Sequence, residues 1–203
     1  SSVTVLDDFA IATGTITMPT AVTTIGGSFQ NTGGVFAHNN AEVVFTSGGT
    51  ETIEQQGTAF LNAFYDVRFT GGGTFTYLDQ NATTTNTYQI ENGNVVFPSG
   101  QLTIGRDFTT SGSGSFDANG GEVVFEINGP DEIASNGSSF NDVRIRKLGV
   151  SDGWYDPDWQ YRLPVTLRAT VVDEDLTDFP VYVDLSDLAS DFFTNVQGSG
   201  ADI

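Results

Sequence analysis

Four blocks of this 203-residue chain occur twice, in the same order. Gly14-Thr15-Ile16-Thr17-Met18-Pro19 corresponds to Gly93-Asn94-Val95-Val96-Phe97-Pro98. Ile25 to Phe29 corresponds to Ile104 to Phe108, at the same offset of 79 residues. Glu42-Val43-Val44-Phe45 returns as Glu122-Val123-Val124-Phe125, offset by 80, and Ile53 returns as Ile133. Phe64-Tyr65-Asp66-Val67-Arg68 returns as Phe140-Asn141-Asp142-Val143-Arg144, offset by 76. Chance alternation of β-formers does not preserve such an order, so residues 10–70 and 89–147 are two copies of one unit.

Within each unit, runs such as Thr15–Met18, Val35–Ala37, Glu42–Thr46 and Asp66–Thr70 read as strands of four to six residues bounded by Gly, Asn or Ser. The pairs Asn92-Gly93, Asn119-Gly120, Asn128-Gly129 and Asn136-Gly137 are turn signals, because both residue types tolerate positive φ. A unit of 80 residues is expected to hold about six to eight such strands. No stretch combines helix formers at helical spacing, so the fold class is all-β. Two architectures suit it. One is a β-solenoid, a β-helix-like tandem repeat with turns of about 20–27 residues, in which a few turns were copied together. The other is two tandem β-sandwiches. Short strands, Gly/Ser-rich connections and recurring Phe and Val favour the solenoid.

The pattern F-x-N/T-x-G-x-F-x-A-N-x-x-E-V-V-F resembles the repeats of large bacterial and archaeal surface proteins. The resemblance covers residues 10–147 and implies a parallel β-helix. Composition changes after residue 148. Residues 149–158 read as an acidic linker. Trp159-Gln160-Tyr161-Arg162-Leu163-Pro164-Val165, then Leu176 to Leu185, then Gly200-Ala201-Asp202-Ile203, resemble the opening of a concanavalin-like jelly-roll domain of unknown function found in secreted and surface proteins. That segment, residues 159–203, implies the start of a second β-sandwich. It contains two expected strands, Tyr161–Thr170 and Phe179–Leu185, and an expected helical turn over Asp187–Phe193. About eight strands close a jelly roll, so this one is expected to be completed by further chain or by a neighbouring copy.

Charge narrows the partners. With 26 acidic and 7 basic residues, the net charge is −19. A phosphate backbone or an anionic membrane surface would be repelled. There is no cysteine, no apolar run long enough to span a bilayer and no leader, so a secretion signal is expected upstream of Ser1.

Chemistry-bearing constellations are sparse. The single histidine, His38, stands in a turn-rich stretch with no nucleophile context and reads as a turn or surface residue. Asp7 and Asp8, Asp131 and Glu132, and Asp173 to Asp175 are adjacent acids, which alternate across a strand instead of facing each other over a cleft. Polysaccharide lyases on β-helices use a basic residue near acidic sugars, and Lys147 is the single lysine. Asp152, Asp156 and Asp158 form an oxygen-rich cluster suited to Ca2+, against the plainer reading of a solvated linker. No other cofactor is expected. Trp154 and Trp159 are candidates for stacking on glycans or for packing a domain junction. Asn81 and Asn136 begin N-glycosylation sequons, which turn chemistry explains equally well.

These readings lead to an extracellular structural or adhesive protein of a cell surface, self-assembling into a filament or layer by strand pairing at its ends. No enzymatic activity is expected. A carbohydrate-binding surface module is the alternative, and a polysaccharide-degrading enzyme the third. Expected partners are further copies, other segments of a longer surface protein, or polysaccharide.

Overall fold

In a computed structural model, residues 1–56, 62–127 and 131–147 are described, and they hold strands, turns and bends with no α-helix. Contacts divide the chain into Ser1–Val150 and Ser151–Ile203, and the second unit, with its expected jelly-roll strands and helical turn, lies outside the described residues. The first unit is a β-solenoid of seven coils with three faces.

Face A carries β1 (Val3–Val5), β4 (Thr23–Ile25), β7 (Glu42–Phe45), β9 (Asp66–Phe69), β12 (Tyr88–Ile90), β15 (Phe108–Thr110) and β18 (Ile133–Ala134). Face B carries β2 (Phe9–Ile11), β5 (Phe29–Asn31), β8 (Thr50–Glu54), β10 (Thr74–Tyr77), β13 (Asn94–Val96) and β16 (Ser115–Asp117). Face C begins with β3 (Thr15–Thr17) and β6 (Val35–Ala37). After a gap it resumes with β11 (Asn81–Thr84), β14 (Gln101–Ile104), β17 (Glu122–Ile127) and β19 (Asp142–Lys147). All pairings are parallel, each strand to the one a coil before. On face A, Val3, Thr23, Val43, Val67, Tyr88, Phe108 and Ile133 stand in one column, so successive coils take 20, 20, 24, 21, 20 and 25 residues.

Inward columns of Phe, Val, Ile and Tyr fill the interior. Phe45 stacks on Phe69 at 5.1 Å between ring centroids, and Phe97 on Phe116 at 4.7 Å. Phe108 touches the rings of Tyr88, Phe97, Phe116, Phe125 and Phe140. Each such fully buried ring is worth about 2–3 kcal/mol of transfer free energy. Thr23, Thr84 and Thr110 also point inward, where their β-branched shape fits, but their hydroxyls meet no partner among the described residues.

Between residues 14 and 93 the described residues hold ten strands and an isolated bridge, Phe64↔Thr84, more than the six to eight expected. Many have three residues, too short to show an alternating pattern. This matters for the duplication, because the copies are not a whole number of turns apart. Glu42 to Phe45 lies on face A as β7, and Glu122 to Phe125 on face C as β17. Likewise β3 on face C matches β13 on face B, and β8 on face B matches β18 on face A. Every matched strand moves by three coils and two faces. The elementary unit is therefore one strand with its corner, and the three faces are interchangeable hosts for it.

Among the described residues, the interval in face C between β6 and β11 is spanned by the Phe64↔Thr84 bridge and by side chains. Gln55 Oε1 accepts from Thr83 N–H at 3.1 Å, and Gln55 Nε2 donates to Thr83 O at 3.4 Å. On the other side Asn62 Oδ1 accepts from Phe36 N–H at 3.0 Å. Asn62 Nδ2 also donates to Gln56 Oε1 at 3.3 Å. Among the described residues, these two amide side chains supplement the backbone bridge in which Phe64 N–H donates to Thr83 O and Thr85 N–H to Phe64 O, and together they keep buried backbone groups paired.

Candidate functional site

The outer faces carry ordered charge pairs set by strand register. Arg68 lies beside Val44 on face A, and Arg144 beside Val124 on face C. Arg68 Nε and Nη2 donate to Glu42 Oε1 and Oε2 at 2.7 and 3.2 Å, and Nη1 lies 3.5 Å from Glu91 Oε1. These carboxylates, Glu42 foremost through its hydrogen bond, raise the guanidinium pKa further. Arg144 pairs with Glu122 at 2.8 Å, and Arg146 with Glu126. Val44 and Val124 point outward yet are buried, and each has an arginine, with its long aliphatic stem, as its partner in the ladder.

β19 is the outer strand of its sheet among the described residues. Val143 continues the inward column Ala82, Leu102, Val123, and Ile145 continues Thr84, Ile104, Phe125. Those earlier residues are buried, whereas Val143 is 48% and Ile145 60% exposed. On the first coil, Val3 and Leu6 are also exposed. Together with the side of β19 that meets no further strand among the described residues, these apolar side chains make the solenoid edge the most interaction-prone surface described.

The residues singled out in the sequence do not converge. Asn81 starts β11, half-buried on the outer side of face C. Asn136 sits in a left-handed corner with φ 45°, and its Nδ2 donates to Gly112 O at 3.4 Å. They lie on different coils. Asp152, Trp154, Asp156, Asp158, Trp159 and the acids at 173–175 lie outside the described residues. Asp8 Oδ1 accepts from Ser28 N–H at 2.8 Å, so it braces a corner. Asp131 pairs with Arg106 at 3.6 Å. His38 is a corner residue: Nδ1 accepts from Asn40 N–H at 2.9 Å and the ring stacks on Tyr65 at 5.4 Å. Burial lowers its pKa, and the nearby Asp66 charge partly opposes this. Among the described residues no group of three or more His, Cys, Asp or Glu is arranged to hold a metal ion. No helix among them is long and apolar enough to cross a membrane.

The edge at β19 and the Glu42–Arg68 motif were not singled out in the sequence. The repeated Glu and Arg carried a signal for the motif. Exposure of Val143 and Ile145 follows from coil position, which periodicity does not reveal. No family model, no curated protein and no solved structure matches the chain.

Proposed function

We propose that this chain is an extracellular structural or adhesive surface protein whose copies join by parallel strand pairing at the solenoid edges. The observation that carries the reading is the pair Val143 and Ile145 on β19, two core-column residues exposed on a six-residue strand that is the outer one among the described residues. An added coil would cover them and extend the ladder, since every coil already docks on its neighbour in this way. The acidic composition suits a protein that must stay soluble until it assembles. This reading assigns no catalytic residue.

Electron microscopy of the purified chain tests it, with Ile145→Lys as comparison. Regular assemblies in the parent chain and their loss in the variant are expected. A parent chain that remains monomeric at high concentration overturns the reading. Retention on polysaccharide without assembly would favour the carbohydrate-binding module instead.

A further inference from the structure

We infer that Asn92 is a site of spontaneous backbone self-modification, closing on Gly93 to a succinimide that opens to aspartate and isoaspartate. Three Asn-Gly pairs lie among the described residues, at 92, 119 and 136. Sequence alone makes them equivalent, but the fold does not. Asn119 and Asn136 both adopt left-handed conformations, with φ 49° and 45°. All three Nδ2 groups reach the coil before, Asn119 to Phe97 O at 3.0 Å, Asn136 to Gly112 O and Asn92 to Thr70 O each at 3.4 Å, so the difference lies in the backbone and in what meets Oδ1.

Asn92 is held differently. Its own N–H and that of Asn94 donate to Phe69 O and Gly73 O in the preceding coil. Between them Gly93 N–H turns to its neighbour's side chain, 2.9 Å from Asn92 Oδ1. With a carbonyl bond of about 1.23 Å, the Gly93 nitrogen is then at most about 4 Å from Cγ, so the side chain already folds back toward the nitrogen that would attack it. A second donor meets the same oxygen: Ser113 Oγ, one coil later, lies 2.5 Å from Asn92 Oδ1. That hydroxyl polarises the carbonyl and stabilises the negative charge that develops on Oδ1 during attack. Gly93 is held at φ +77°, and a Cβ there would run into Gly71 O and Gly73 O, so glycine, the residue type least hindered in ring closure, is required next to Asn92.

The atoms balance without any further reagent than water. Gly93 N gives its proton to solvent base and bonds to Asn92 Cγ. The Cγ–Nδ2 bond breaks, and Nδ2 takes a proton and leaves as ammonia. Water then opens the ring at either carbonyl. Aspartate forms by opening at one, and an isoaspartyl link, with an extra methylene in the backbone, by opening at the other. Either product loses the Nδ2 donor that now reaches Thr70 O at 3.4 Å, and with it one tie between coils.

The test is peptide mapping with isoaspartate detection on the folded chain, incubated at mildly alkaline pH, beside the same chain in denaturant. The peptide bearing Asn92 is expected to convert ahead of those bearing Asn119 and Asn136 in the folded protein, and the three to converge in denaturant. Ser113→Ala is expected to slow conversion at Asn92 by about two- to tenfold, the worth of one hydrogen bond. The inference is overturned if Asn119 or Asn136 converts as fast in the folded chain. It is equally overturned if the lead of Asn92 persists in denaturant, or if Ser113→Ala changes nothing.

Discussion

Arg68 reaches back one coil to hold Glu42 through two parallel hydrogen bonds, of 2.7 and 3.2 Å, while lying alongside Val44. Its duplicate Arg144 meets Glu122 at 2.8 Å on another face, alongside Val124. Arg68 is about half as exposed as Arg144, at 31% against 61%. Arg68→Ala is therefore expected to cost about 1 kcal/mol, combining a partly screened ion pair with lost cover over Val44, and Arg144→Ala less. Arg68→Lys should recover little of it, because a point charge cannot reproduce the fork. Urea unfolding of the variants checks the order.

Gln55 offers a sharper comparison. Gln55→Glu keeps size and acceptor but removes the donor to Thr83 O and places a carboxylate where the amide is buried. A loss of about 2–3 kcal/mol or more is expected, larger than for most surface changes. Hydrogen exchange should show the loss concentrated on β6 and β11, the strands flanking the gap.

Thr84 tests the opposite sign. Its hydroxyl is buried in the column leading to Ile104 and meets no partner among the described residues. Thr84→Val keeps the shape and removes the desolvated hydroxyl, so a gain of about 1 kcal/mol is expected. Thermal unfolding should move upward, and a fall would show that the hydroxyl is satisfied in solution.

His38 gives the pH dependence. Its folded pKa lies below the ordinary 6.5, so the folded state binds fewer protons than the unfolded chain. The stability it contributes is complete above that ordinary value and is lost as pH falls below it toward the folded pKa. The cause is burial of the ring, which disfavours its charged form and is only partly opposed by Asp66. Unfolding midpoints measured from pH 7.5 down to about 5.5, bracketing the ordinary histidine range, should decline in the parent chain and decline less in His38→Gln.

Much of this architecture can be read from residues. Recurring Phe and Val bounded by Gly and Asn announce stacked short strands, and the expected turn length of about 20–27 residues contains the observed 20 to 25. Of the turn pairs that are described, Asn119 and Gly120, and Asn136 and Gly137, all have positive φ, whereas at Asn92 and Gly93 only the glycine does. What periodicity cannot give is phase. Three-residue strands such as Thr15–Thr17 carry a single inward side chain, so nothing local says which face they join. Gln55 and Asn62 look like ordinary loop amides, and their role exists only because the gap brings them beside Thr83 and Phe36. The exposure of Val143 and Ile145 is likewise a matter of position, since Val123 and Phe125 in the same columns are buried a coil earlier.

The slip between the two copies has a consequence for how a protein of this kind can lengthen and display itself. Because each copy advances by eleven strand positions on a three-sided stack, a marking on one copy winds around the axis like the thread of a screw. The Glu–Arg pair goes from face A to face C. A third copy would set it on face B, and a fourth would bring it back to face A eleven coils beyond the first. Growth by thirds of a turn, instead of whole turns, would give such a chain a decoration that points in every direction.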